Sequence, residues 1–191
     1  MKHPLEFLVQ LGKDKGILTF QFAAYKHSPD PLRSDKREIL QNSAIIERDY
    51  DILKDWAGKD GRDLEVQSPV VLSDHKEMHI PMIDFATEKI DEHIPSIKKV
   101  MQEFSIRRAY LFHSGRSYHL YGVDLINNSN WMRFMGTVIL LNPENPGTNN
   151  GRVFDLNWIG RCLINGCSSL RLSNNQDHYV GLHEFYKTIQ Q

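Results

Sequence analysis

Cysteine is scarce in this 191-residue chain, which contains only Cys162 and Cys167. Two cysteines cannot build the disulfide framework of a small secreted protein, and no partners for a zinc site are identifiable. Long apolar runs are missing too: no segment approaches the roughly 18 residues of a membrane helix. The apolar run near the N-terminus is too short for a secretory signal. The sequence therefore predicts a cytoplasmic protein with no membrane partner.

An excess of charge of one sign is also missing. Lys and Arg number 23 and Asp and Glu number 24, so the formal net charge is −1. This balance excludes a strong overall basic field of the kind that draws proteins to nucleic acid. Basic residues do collect locally in segment 97–116, which contains a single acid, Glu103. That segment is either a patch facing phosphates or a solvated helix end.

Several common catalytic signatures do not occur. The chain has no G-x-S-x-G elbow, no G-x-x-x-x-G-K-[ST] loop and no G-x-G-x-x-G turn. A histidine-dependent phosphoesterase would need a second H-x-[ST] element, which is also missing. The sequence thus argues against a serine hydrolase, a P-loop nucleotidase and a Rossmann dinucleotide-binding protein.

The order of the remaining patterns predicts an α+β fold, with a mainly antiparallel sheet and helices on one face. The other face of such a sheet is free to carry a site. We interpret residues 1–68 as an N-terminal extension and residues 69–191 as the core of one compact domain. The individual predictions are strands at 17–25, 69–74, 79–86, 107–114, 117–126 and 167–174, helices at 5–11, 35–58, 87–106 and 154–164, either type at 131–141 and 178–186, and loops at 27–34 and 142–151.

Polar residues suited to an anion gather around the glycine turn of the stretch HSGRSYHLYG. Gly115 allows close approach of the backbone, Ser114 can donate a hydrogen bond, and Arg116 can bind a phosphate with two parallel bonds. His119 follows on the next strand. Asp84, at the end of strand 79–86, would supply a carboxylate for a divalent metal that bridges the same phosphates.

These residues resemble the archaeo-eukaryotic primase superfamily, whose primase–polymerase core is RRM-like. The stretch SGRSYHLY is similar to the family's second motif, S-G-[RK]-x-x-H-[VL]-[YF]. It begins 30 residues after Asp84, the spacing that the family shows between its first and second motifs. Segment 154–175 is similar to a later D…LRLPG(T/S)xN element, in which Asp155, Arg171 and Asn174 or Asn175 match. The resemblance covers about residues 69–176.

The resemblance implies metal-dependent nucleotidyl transfer, in which a 3′-hydroxyl attacks the α-phosphate of a nucleoside triphosphate. It implies Mg²⁺ or Mn²⁺ as cofactor, DNA or RNA as partner, and a helicase or other replication protein as a further partner. By this resemblance the catalytic residues would be Asp84, His119 and Asp155, the metal ligands Asp84 and Asp155, and the phosphate-binding residues Ser114, Gly115, Arg116, His119 and Arg171.

One position departs from the family pattern. The second carboxylate of the first motif should lie two residues after Asp84, where the sequence has Ala86. Asp124 is a possible substitute, but its strand parity opposes that of His119. Either another acid replaces Ala86 in space, or the chain is a catalytically inactive primase-like module of a replication, mobile-element or defence system. A third reading is an unrelated α+β protein, which clustering of Asp84, His119 and Arg171 on one sheet face would exclude.

Overall fold

The computed structural model describes residues 1–26, 37–42, 50–59, 61–142, 153–174 and 183–191. The predicted loop at 27–34 lies outside these ranges, as does nearly all of the one at 142–151. In the described part the helices are α1 (Pro4–Lys15), α2 (Tyr50–Gly58), α3 (Ile94–Glu103), α4 (Asn128–Leu140) and α5 (Leu156–Asn165), with a 3₁₀ turn at Ile90–His93. The strands are β1 (Ile17–Tyr25), β2 (Arg37–Asn42), β3 (Asp63–Leu72), β4 (Glu77–His79), β5 (Met82–Asp84), β6 (Arg108–His113), β7 (Tyr118–Gly122), β8 (Ser169–Arg171) and β9 (Phe185–Gln190).

The strands form two antiparallel sheets. In the first sheet the order is β2-β1-β3-β4, and β8 pairs with residues 65–67 of β3, ahead of the part that pairs with β4. In the second sheet the order is β5-β7-β6-β9. The α+β class and the antiparallel pairing are thus confirmed, whereas the division into two sheets was not predicted. Strand β3 runs through residues 68 and 69, where the predicted domain boundary falls, and that boundary stays a prediction.

The chain passes from the first sheet to the second at Ile80 and Pro81. The single strand predicted at 79–86 is therefore two short strands in different sheets. Proline has no N–H to donate to a ladder, and the carbonyl of Pro81 accepts the N–H of Gly122 instead. Because of this crossing, Asp84 belongs to the second sheet and lies near the first sheet.

Two apolar cores enclose the second sheet. One face packs on α3, α4 and α5, and the opposite face packs on the first sheet, α1 and α2. Strand β7 shows the alternation expected of a strand buried on both faces: Leu120 belongs to the helical core, and Tyr121 belongs to the core between the sheets. His119 shares the parity of Tyr121, so its side chain faces the first sheet.

The helix predicted at 35–58 is wrong over its first part. Residues 37–42 form β2, which pairs antiparallel with Phe20–Tyr25 of β1. Pairing with a strand distant in sequence here overrides a local pattern that suits a helix. The prediction is correct for α2, where Leu53 and Ala57 are buried against the first sheet.

The helix predicted at 87–106 is shorter than expected. Pro95 lies in the first turn of α3, where its missing N–H costs nothing, so the helix begins there. Thr87 accepts the N–H of Lys89 through its hydroxyl and does not cap α3. Residues 131–141, which periodicity left open, lie mostly in α4. Within the described ranges, no helix is both long and apolar enough to span a membrane.

Candidate active site between the two sheets

Asp84 and His119 lie opposite each other at one end of the second sheet. They are register partners in the antiparallel pair of β5 and β7, and both side chains point toward the first sheet. His119 Nε2 is 3.5 Å from Asp84 Oδ1. His119 is only 4 % exposed, whereas a quarter of the Asp84 side chain (25 %) reaches solvent. We call this place between the two sheets, which is open to solvent beside Asp84, the crevice.

The glycine turn lies at the mouth of this crevice. Gly115 adopts a φ of 102°, which a residue with a side chain rarely takes. The turn closes through the Ser114 N–H, which donates to the carbonyl of Ser117 at 2.9 Å. The Ser117 hydroxyl in turn donates to the carbonyl of Phe85, directly after β5. These bonds fix the turn to the strand that ends in Asp84, and Arg116 is exposed at its tip.

Arg171, at the end of β8, is the residue of the first sheet that contacts the site. Arg171 is only 8 % exposed. Its guanidinium donates to the carbonyls of Ser114 at 2.7 Å and Ser173 at 2.9 Å, and to Asn174 Oδ1 at 3.1 Å. On the neighbouring strand Glu65 lies directly opposite Arg171. The bond to Ser114 crosses from β8 to the turn after β6, so a single buried cation ties the two sheets together at the site.

The pKa shifts follow from burial and from these charges. Burial raises the pKa of Asp84 well above its usual range, Asp155 adds to the rise, and Arg171 and Arg116 oppose it. Burial also lowers the pKa of His119 well below its usual range, with smaller contributions from His183 and Arg171. The imidazole is therefore neutral near pH 7, and the fixed positive charge of the crevice comes from arginines. This combination suits an anionic ligand.

Asp155 lies beside the pair but has a structural task. Its N–H donates to the Asp84 carbonyl at 3.1 Å. Its Oδ1 accepts the N–H groups of Asn157 at 2.9 Å and Trp158 at 3.1 Å, which caps α5. Asp155 is thus the N-cap of α5 as well as a neighbour of Asp84.

The residues present do not fit the two-metal site that the resemblance implies. Two divalent ions need several carboxylates around them. In the described ranges, no group of three His, Cys, Asp or Glu side chains is placed to hold a metal. Asp124 does not replace the missing acid, because Arg107 at 2.6 Å and Lys15 at 3.3 Å engage its carboxylate. Ala86 is exposed, so the position of the family's second carboxylate is open to solvent.

The structure brings together Asp84, Ser114, Gly115, His119 and Arg171, and it places Arg116 and Asp155 at their margin. Sequence reasoning missed a polar row on β3, where Asp63, Glu65 and Gln67 are all buried. Their alternation with Leu64 and Val66 was the available signal. It also missed His183, which stacks on His119 and comes from the segment whose type the sequence left ambiguous.

A family model described as AEP-like, archaeo-eukaryotic primase 1D-like, matches residues 56–184, which is more than half of the chain. The match includes every residue of the crevice. A comparison with curated proteins finds no match.

Proposed function

This chain belongs to the archaeo-eukaryotic primase-like family, and we propose that its crevice binds the phosphates of a nucleotide or of a nucleic-acid end. The observation that supports this most directly is the meeting of Asp84, His119 and Arg171 below the glycine turn. A chance motif in an unrelated fold would not bring these three residues together.

The proposed binding uses the arginines and the turn. Arg116, exposed at the tip, can turn its guanidinium toward an incoming phosphate. Arg171 keeps its hydrogen bonds to the protein and contributes a positive charge from its buried position below the turn. The neutral imidazole of His119 carries one N–H, which can donate a hydrogen bond to a phosphate oxygen. The open edge beside Asp84 gives the ligand its entrance.

Divalent metals are usual in this family, but the donor set here does not support metal-dependent nucleotidyl transfer. We therefore favour a primase-like binding module. It would act in the cytoplasm in a replication, mobile-element or defence system, with a helicase or other replication protein as partner. Primer synthesis remains a second candidate, since Asp84 and Asp155 lie close enough for Asp155 to raise the pKa of Asp84.

Titration calorimetry with ATP, dATP and a short single-stranded DNA, in EDTA and then in Mn²⁺, tests this proposal. We expect binding that persists in EDTA and that Arg116→Gln weakens about tenfold, the effect of losing a charge-assisted hydrogen bond. Arg133→Gln, at an exposed arginine on α4, is the matched control and should bind as the unchanged protein does. Failure of all three ligands to bind would refute the proposal. Template-dependent primer extension would instead establish the second candidate.

A further inference from the structure

His119 carries the proposed contact to phosphate, yet hydrogen bonds do not fix the orientation of its ring. Its Nδ1 is buried and has no hydrogen-bond partner in the described part of the chain. Its Nε2 approaches Asp84 only at 3.5 Å, which is long for a hydrogen bond. Something other than hydrogen bonding must therefore hold this imidazole in place.

The ring of His183 supplies a flat surface for it. The two imidazole centroids are 5.4 Å apart and the planes differ by 24°, which is a stacked pair. His183 is 4 % exposed, and burial lowers its pKa to about 3, so the ring is neutral. Stacked aromatic rings favour a defined relative orientation, in addition to the area that they bury.

The position of His183 is itself set by residues near the N-terminus and by the end of β6. His3 meets it edge-on, with ring centroids 6.1 Å apart and planes at 83°. The carbonyl of Glu184 accepts the N–H of His113 at 2.8 Å, and the N–H of Phe185 donates to the carbonyl of Lys2 at 3.0 Å. The backbone next to His183 is thus tied to the end of β6 on one side and to the start of α1 on the other.

The nitrogens of His183 do not explain its placement. Neither ring nitrogen makes a hydrogen bond of normal geometry in the described ranges. Backbone groups of Ser173 and His113 raise its pKa by weak hydrogen bonding, an effect smaller than that of burial. The main contact of this side chain is therefore made by the face of its ring, which stacks on His119.

We propose that His183 is a positioning residue, whose ring face holds the His119 imidazole in the orientation that meets a phosphate. The inference rests on the proposed function for its consequence in binding, but the contact between the two rings can be measured without any ligand. Without His183, His119 would have to be ordered on binding, and the cost of ordering one side chain corresponds to about a threefold to tenfold loss of affinity.

Two variants separate the ring face from the nitrogens. His183→Phe keeps a flat ring, and His183→Leu fills similar space without one. Both remove buried nitrogens without partners, so neither should unfold the protein, and circular dichroism and thermal melting check this. His93→Leu makes the same change at a half-buried histidine directly before α3 and serves as the control.

The first readout is the histidine side-chain NMR spectrum of the full, ligand-free chain, with the His119 signals assigned by their absence in His119→Asn. The second is the dissociation constant for ATP. We expect His183→Leu to shift and broaden the His119 signals and to weaken ATP binding about fivefold. We expect His183→Phe to leave the sharpness of the His119 signals and the ATP affinity close to those of the unchanged protein.

Either of two results would overturn the inference. In one, His183→Leu behaves like His93→Leu in the spectrum. In the other, His183→Phe is as harmful as His183→Leu, which would assign the role to the nitrogens. If the unchanged protein binds none of ATP, dATP and the single-stranded DNA, the proposed function fails, but the His119 signals still decide whether His183 positions that ring.

Discussion

Replacement of Arg171 by methionine is the most informative single perturbation of the crevice. Methionine keeps the length and apolar stem of the side chain and removes the guanidinium. The carbonyls of Ser114 and Ser173 then lose a charged donor, and Glu65 loses the cation across the strand pair. Because Arg171 joins the two sheets, the change should weaken the packing of one sheet against the other.

The magnitude follows from the contacts. A hydrogen bond that involves a charged group contributes about 1.5–3 kcal/mol net, and breaking a buried charge network costs about 3–5 kcal/mol. Water entering from the open edge beside Asp84 would recover part of this loss. We therefore expect the free energy of unfolding to fall by about 3 kcal/mol, equivalent to a drop of roughly 6–12 °C in Tm for a chain of this size.

Urea denaturation followed by tryptophan fluorescence measures the change in the free energy of unfolding. Arg133→Met is the matched control, because Arg133 forms an exposed ion pair with Glu103 at 3.1 Å, with the two side chains 63 % and 53 % exposed. Such surface pairs contribute about 1 kcal/mol or less. Equal shifts in the midpoint for the two variants would refute the view that Arg171 holds the sheets together.

Two further predictions concern a buried histidine and the missing acid. Burial lowers the pKa of His79 to about 4, so between pH 6.5 and 4 the unfolded chain binds a proton that the folded chain does not. The free energy of unfolding should then fall with falling pH, by about 2 kcal/mol at pH 4.5 after allowance for solvent screening. In urea titrations His79→Gln should reduce the dependence of the free energy of unfolding on pH by this amount, and an unchanged dependence would contradict the prediction. Ala86→Asp restores the family's second carboxylate beside Asp84 and should strengthen Mn²⁺ binding by about tenfold in calorimetry. The control Ala86→Asn should not strengthen it. Tight Mn²⁺ binding by the unchanged protein would show that another acid already replaces the missing carboxylate.

The motif-bearing part of the site could be predicted because it depends on short-range rules. Strand alternation indicates which face His119 takes, and a glycine between two polar residues indicates a turn. These rules do not supply register. That Asp84 lies opposite His119, and that Arg171 reaches the carbonyl of Ser114, depends on how three strands far apart in the sequence come together.

The wrong and missing predictions also come from contacts between residues far apart in the sequence. Residues 37–42 have a helical pattern but complete the edge of a sheet, since pairing with β1 outweighs local preference. His183 carries no motif at all. Its role arises from contacts with residues 3 and 119, and no local window of sequence contains such a set.

The charges around Asp84 support the proposal that this member of the family binds phosphate without the family's second acid. Burial is the main cause of the raised pKa of Asp84, Asp155 adds to the rise, and Arg171 and Arg116 oppose it, so the carboxylate lies between like and opposite charge. A metal cation entering here would meet one accessible carboxylate and two guanidinium groups. A phosphate would meet the same guanidinium groups, a neutral imidazole and that one carboxylate, where the family pattern would place two carboxylates. Loss of the second acid thus shifts the balance of the site from cations toward anions, and phosphate binding in EDTA is the property that this balance requires.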